Sequence, residues 1–191
     1  MRLVPRKAAV AAVAAVASLA LAGITSANGV GSGKTKLKPD QDTFEALADM
    51  SISVDATGRA KWTDTGLKFP VAGGDFTPGE GGIIAHAGGM LWSRSTDGAD
   101  VKFKRLEVFA KGKKLKLLAQ VSGSEGSFIK LAKLDGNVAG TDTSVQIKNA
   151  KATLSKAGAE VLTETFDFPF RKGIPLGTTT TKAQLGGQVE E

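Results

Sequence analysis

The sequence predicts an all-β fold, an antiparallel β-sandwich or barrel with two short helices. Three observations predict it. Apolar and polar residues alternate with period two through much of the chain beyond residue 50. Turn signals recur at short intervals among 24 glycines. Helical spacing behind a capping residue occurs in only two short stretches.

In chain order, Asp40 is placed to cap a helix over 41–49, with Phe44, Leu47 and Ala48 on one face. Met50, Ile52 and Val54 then alternate with Ser51, Ser53 and Asp55 in a strand that Gly58 ends. Residues 62–69 read as a further extended piece, closed by Pro70 and a loop over 73–82. Residues 83–95 and 101–110 read as a hairpin about Asp97-Gly98, which offers the positive-φ turn such a connection needs. A second hairpin joins 101–110 to 114–121. The apolar phase slips between Phe103 and Leu106, which predicts a β-bulge near Lys104-Arg105. A similar slip separates Ile147 from Ala152. Ser155 is placed to cap a second helix over 155–163, and 178–185 reads as a terminal strand.

The chain's ends carry other signals. Arg2, Arg6 and Lys7 precede an apolar, alanine-rich run over 8–24, and Thr25-Ser26-Ala27 follows with small residues at the positions a signal peptidase reads. Residues 1–27 are therefore read as an export signal cut after Ala27, with Ala22 as an alternative cut. The formal charge of +6 then falls by the three charges of the leader, to +3. That removes most of the support for a nucleic-acid partner. No later run approaches the roughly 20 apolar residues of a spanning helix. The expected placement is secreted or envelope-associated. Residues 28–39 look like a flexible Gly/Ser linker, 40–185 form the β domain, and 186–191 read as a polar tail. "NGVGSGKT" (28–35) mimics a phosphate-binding loop, but Asn28 stands where the pattern needs glycine and no strand precedes it.

Enzyme chemistry has little footing. The chain has no cysteine and one histidine, and no G-x-S-x-G setting frames a nucleophile. Glu164 and Asp167 are near in sequence but flank a helix end, and Asp97, Asp100 and Asp135 lack calcium-loop spacing. Two candidate sites remain. In the first, His86 shares a strand face with Ile84, Met90 and Trp92, and Gly88 lies between them. A buried neutral imidazole there can hold iron, or simply bond a neighbouring strand. Gly88-Gly89 leaves room for a flat ligand or for another backbone. The second is the hairpin over 101–121, where Lys102, Lys104, Arg105, Lys113, Lys114 and Lys116 crowd one ribbon. Such a ribbon attracts cell-envelope polyanions, or is a solvated face whose lysines block edge-to-edge pairing.

"FPVAGG" (69–74), "GGIIAHAGGMLW" (81–92), "ATLSKAGAEVL" (152–162) and "FRKGIPLGT" (170–178) follow one another as in the HtaA-like domains of actinobacterial exported proteins, which this chain resembles over about 40–185. The resemblance implies a β-rich, non-enzymatic envelope module that binds haem through a tyrosine supported by a histidine. His86 matches the histidine of the glycine-flanked stretch. The chain contains no tyrosine, so no residue inherits the phenolate role, and haem is left as a possible cofactor without its family ligand. Two functions are carried forward: capture of haem or another flat apolar ligand near His86, Met90 and Trp92, and macromolecular contact through the basic hairpin. N-terminal sequencing of the exported protein is expected to begin at Asn28. Cytosolic protein that retains Met1 is the contrary outcome.

Overall fold

A computed structural model describes residues 28–186 apart from residue 125. The leader, and the tail beyond 186, lie outside the described residues. The elements are β1 (Asn28–Pro39), α1 (Gln41–Asp49), β2 (Ile52–Thr57), β3 (Lys61–Thr63), β4 (Gly66–Thr77), β5 (Gly81–His86), β6 (Gly89–Arg94), β7 (Asp100–Lys111), β8 (Lys114–Val121), β9 (Phe128–Thr141), β10 (Ser144–Leu154), α2 (Lys156–Phe166) and β11 (Pro175–Leu185). Eight strands close an antiparallel barrel in the order β4-β5-β7-β8-β9-β10-β11-β1 and back to β4. The fold is thus the barrel of the two predicted architectures. Closure removes free edges from these strands.

The linker reading of 28–39 is overturned. These residues form β1, which pairs with β11 on one side and β4 on the other. Thr35 and Leu37 are buried, while Lys34 and Lys38 are exposed and Lys36 is half-buried. Period-two alternation is present, but one of its inward positions is a threonine and its outward residues are lysines, so it resembles a polar linker. Gly33, at φ +143°, lets β11 approach: a Cβ there would stand 2.2 Å from the Lys182 carbonyl oxygen.

Two other expectations change. The loop over 73–82 is strand for most of its length, since β4 runs through Pro70 to Thr77 and only 78–80 turn. Pro70 is tolerated because the β4–β5 register shifts beside it, between Val71 and Gly73, and its carbonyl still accepts the Ala87 N–H at 2.9 Å. The single strand over 83–95 divides into β5 and β6 at Ala87-Gly88. Both pair with β7, but β5 keeps β4 as its other neighbour, whereas β6 takes β2. Gly88 makes that change of partner, at φ +93°.

The two predicted bulges are present. The β7–β8 register shifts between Lys104 and Glu107, with Arg105 at φ 51°, and the β10 registers shift between Lys148 and Lys151, with Asn149 at φ 45°. Both caps form: the Asp40 carboxylate accepts the Thr43 N–H at 3.1 Å, and Ser155 Oγ accepts the Gly158 N–H at 3.1 Å. The core inside the barrel includes Phe76, Phe103, Leu106, Leu131 and Ile147, and α2 adds Leu162 and Phe166. Because β1 is a two-sided barrel strand, its amide hydrogens over 34–38 are expected to exchange only with global opening. Rapid exchange there, with the rest of the barrel protected, would refute that role.

Candidate functional site

His86 ends β5 at the point where the strand changes partners, and only 6% of its surface is exposed. Both ring nitrogens are engaged. Nδ1 lies 3.1 Å from the Leu106 carbonyl oxygen, and Nε2 lies 2.7 Å from Thr35 Oγ1. A carbonyl only accepts, so Nδ1 carries the proton and Nε2 accepts from the Thr35 hydroxyl. Thr35 Oγ1 in turn lies 2.8 Å from Thr181 Oγ1, which then donates to it. The result is a directed chain, Thr181 to Thr35 to His86 to Leu106, buried across four strands.

The local sequence explains why the chain can form. The β7 bulge takes Leu106 out of the ladder, since the pairings resume at Glu107 on one side and at Lys104 on the other. Its carbonyl is thereby available to a side chain. The Phe69 ring stands edge-on to the imidazole, with centroids 6.4 Å apart. Burial pushes the His86 pKa down from its ordinary 6.5 to about 4, and the hydrogen bond to Leu106 opposes the shift more weakly. The ring is neutral at physiological pH.

The other residues of the first candidate site do not open a slot beside it. Gly88 is filled from outside: a Cβ there would stand 2.4 Å from the Ala60 nitrogen and 2.5 Å from the Thr57 carbonyl oxygen. Of the two alternatives for the glycine pair, Gly88 takes the second, another backbone. Met90 and Trp92 are buried in β6, beyond the change of partner, and Trp92 packs edge-on against Phe103. Trp92 Nε1 is buried without a hydrogen-bond partner among the described residues. These residues do not fit an iron-ligating haem site. The chain has no phenol, its imidazole has no free nitrogen, and the space beside Gly88 is taken.

In the second candidate site, Lys102, Arg105, Lys113 and Lys114 are exposed, and Lys104 and Lys116 are half-buried. Arg105 lies over the Phe128 ring at 5.8 Å and Lys116 over the Phe109 ring at 5.4 Å, so part of this charge rests on aromatic faces. β7 and β8 are both paired on two sides. These lysines therefore guard no free edge, and what stands of that reading is a solvated face. Glu164 is exposed on α2, and Asp167 closes that helix at φ 47°. Among the described residues, no group of three or more potential ligand side chains is placed to hold a metal. The sequence reading missed Thr35 and Thr181, whose only signal was their inward parity on strands.

A closed antiparallel barrel whose one histidine is bonded inside its wall defines a small β-barrel module. The HtaA family model matches residues 46–168, and the chain belongs to that family. No curated protein matches the chain by sequence. Among solved structures, the C-terminal domain of HtaA from Corynebacterium glutamicum is similar at 17% identity and TM-score 0.68, covering 83% of this chain and 99% of that one. The N-terminal domain of the same protein is similar at 14% identity and TM-score 0.64, again covering 83% and 99%. The haem-binding protein HtaB of that organism is similar at 15% identity and TM-score 0.55, covering 82% of this chain and 94% of that one. At these identities the likeness is one of fold.

Two outcomes follow for His86. Replacing it by alanine takes the acceptor from the Thr35 hydroxyl, which keeps only Thr181, unpairs the Leu106 carbonyl from the ring and leaves a gap, at an expected cost of about 3 kcal/mol in denaturant melts. The folded pKa lies below the unfolded one, so the unfolded chain binds the extra proton between them. This contribution is full above pH 6.5 and falls by about 3 kcal/mol as pH drops to about 4. Melts of H86Q should lack that fall. An unchanged slope would mean that other groups set the pH dependence.

Proposed function

We propose that this chain is an exported, envelope-associated binding module of the haem-related HtaA family in which the histidine holds the barrel together and does not hold iron. The observation that carries this reading is the engagement of both His86 nitrogens, with Thr35 and with the Leu106 carbonyl. Iron ligation would require the ring to give up the bond from Thr35, leaving that buried hydroxyl with Thr181 alone. The family scaffold is kept and the phenol is missing. The leader over 1–27 supports export.

A second reading keeps a flat apolar ligand but moves it away from His86. A shallow recess of about 610 Å³ lies against α2, lined by Phe170, Ala159 and Thr163 with Lys156, Lys172, Glu160 and Glu164 around them. Phe168, 42% exposed, packs edge-on against Phe170 at 5.5 Å. The Phe170 ring suits the face of a flat apolar ligand such as haem, while the two lysines are matched by two carboxylates, Lys156 pairing with Glu160 at 3.6 Å.

Haem titration followed by absorbance separates the readings. The expected result is no Soret shift of the kind given by a protein-ligated iron, in wild type and in H86Q alike. A shift in wild type that H86Q abolishes, with the variant still folded, would overturn the structural role of the histidine. Weak binding that F170A reduces by about tenfold, and H86Q leaves alone, would place the ligand at α2.

A further inference from the structure

The lysines of β1 lie on a strand paired on both sides, so they are not guarding an edge. Lys34, Lys36 and Lys38 alternate outward, which spaces their stems by about 6.8 Å along the strand. Across the ladder, Lys34 stands directly opposite Lys182 of β11, and Lys36 stands directly opposite Lys68 of β4. Like charges in direct register oppose folding. The ion pairs Arg94–Asp97 and Lys156–Glu160 lie elsewhere. A cost of this kind, placed on the outside of a closed barrel where packing does not demand it, marks a surface shaped for binding.

The surface is also concave. A recess of about 540 Å³ is lined by Lys34, Lys68 and Lys182 together with Gln146 and Gln184. A second, of about 420 Å³, shares Lys34 and Lys182 and continues past Lys36 and Lys38 to Thr65, Asn149, Thr178 and Thr180. A third, of about 400 Å³, shares Lys68 and adds Arg59 and Lys61. The shared residues join the three into one trough, and none of the three is lined by a carboxylate. Asp64 adjoins the lining residue Thr65, and Asp142 lies two residues from the lining residue Ser144.

We propose that this trough binds a linear polyol-phosphate polymer, a chain of phosphodiesters joined by hydroxylated spacers. The lysine row supplies cations at a regular interval for successive phosphates. Between and beside the lysines stand hydroxyl and amide side chains, at Thr178, Thr180, Asn149 and Gln146, which both donate to and accept from polyol hydroxyls. Phosphodiesters also occur in nucleic acids, but single-stranded nucleic acid is gripped by aromatic stacking, and no aromatic side chain lines these recesses. By strand order the trough lies across the barrel from the β7–β8 hairpin, so it is a separate surface. The inference rests on the proposed envelope placement only for where such a polymer would be met.

Fluorescence anisotropy of a labelled poly(glycerol phosphate) oligomer, titrated with the mature chain, tests it. Binding is expected, weakening linearly in log–log form as salt rises. The triple variant K34Q/K36Q/K182Q should weaken it by about tenfold or more. Its melting temperature should be unchanged or raised, because opposed charges are removed. The control variant K130Q/K133Q/R171Q, at exposed residues outside the trough and outside the basic hairpin, removes the same net charge and should leave affinity nearly intact. Equal losses in the two triples would reduce the effect to net charge and overturn the site. Absence of binding would overturn it too, and so would oligodeoxythymidylate of matched charge binding as tightly. None of these results bears on His86, which the haem titration tests separately.

Discussion

The hydrogen-bond chain from Thr181 through Thr35 and His86 to the Leu106 carbonyl is the constraint on which the rest of the barrel depends. It joins β11, β1, β5 and β7, four of the eight strands, inside a wall whose other buried side chains are mostly apolar. Each member is buried, so each must be satisfied or cost free energy comparable to a lost hydrogen bond. Two backbone irregularities serve that requirement. The bulge at Arg105 releases the Leu106 carbonyl, and the turn of partner at Gly88 ends β5 immediately after the histidine.

The same chain determines what the histidine can do. An imidazole that donates from Nδ1 and accepts at Nε2 has no lone pair left for a metal, and burial keeps it uncharged. In a barrel whose fold neighbours include a haem-binding protein, the imidazole is bonded at both nitrogens within the wall. The missing phenol and the bonded imidazole are independent observations, one from composition and one from geometry, and both argue against iron held by protein ligands at this position.

Much of the fold was legible because inward residues alternate with outward ones. Helix α1 follows Asp40 as its cap predicts, and the phase slips at 104–105 and 148–151 marked real bulges. What was not legible shares one cause. Parity reveals a strand only when the inward residues are apolar, and β1 turns Thr35 inward between lysines. The core it faces there is polar, because His86 needs a hydroxyl, so the rule that identifies core strands by hydrophobicity fails at the strand that completes the site. Likewise the glycines of 73–82 and Pro70 suggested a loop, whereas they permit close strand approach and a register shift within β4.

The two faces of β1 are therefore not independent. Because side chains alternate strictly, a slip of one residue against β11 would turn Lys34, Lys36 and Lys38 into the barrel and carry Thr35 away from His86. The cost of burying three ammonium groups is far larger than that of one lost hydrogen bond. The outward lysines thus hold the register from outside while the threonine holds it from inside, and Gly33 fixes where β11 may approach. A polar interior and a basic exterior on one strand constrain it in the same sense. This is why a segment with so little apolar surface can be an ordered part of the barrel wall.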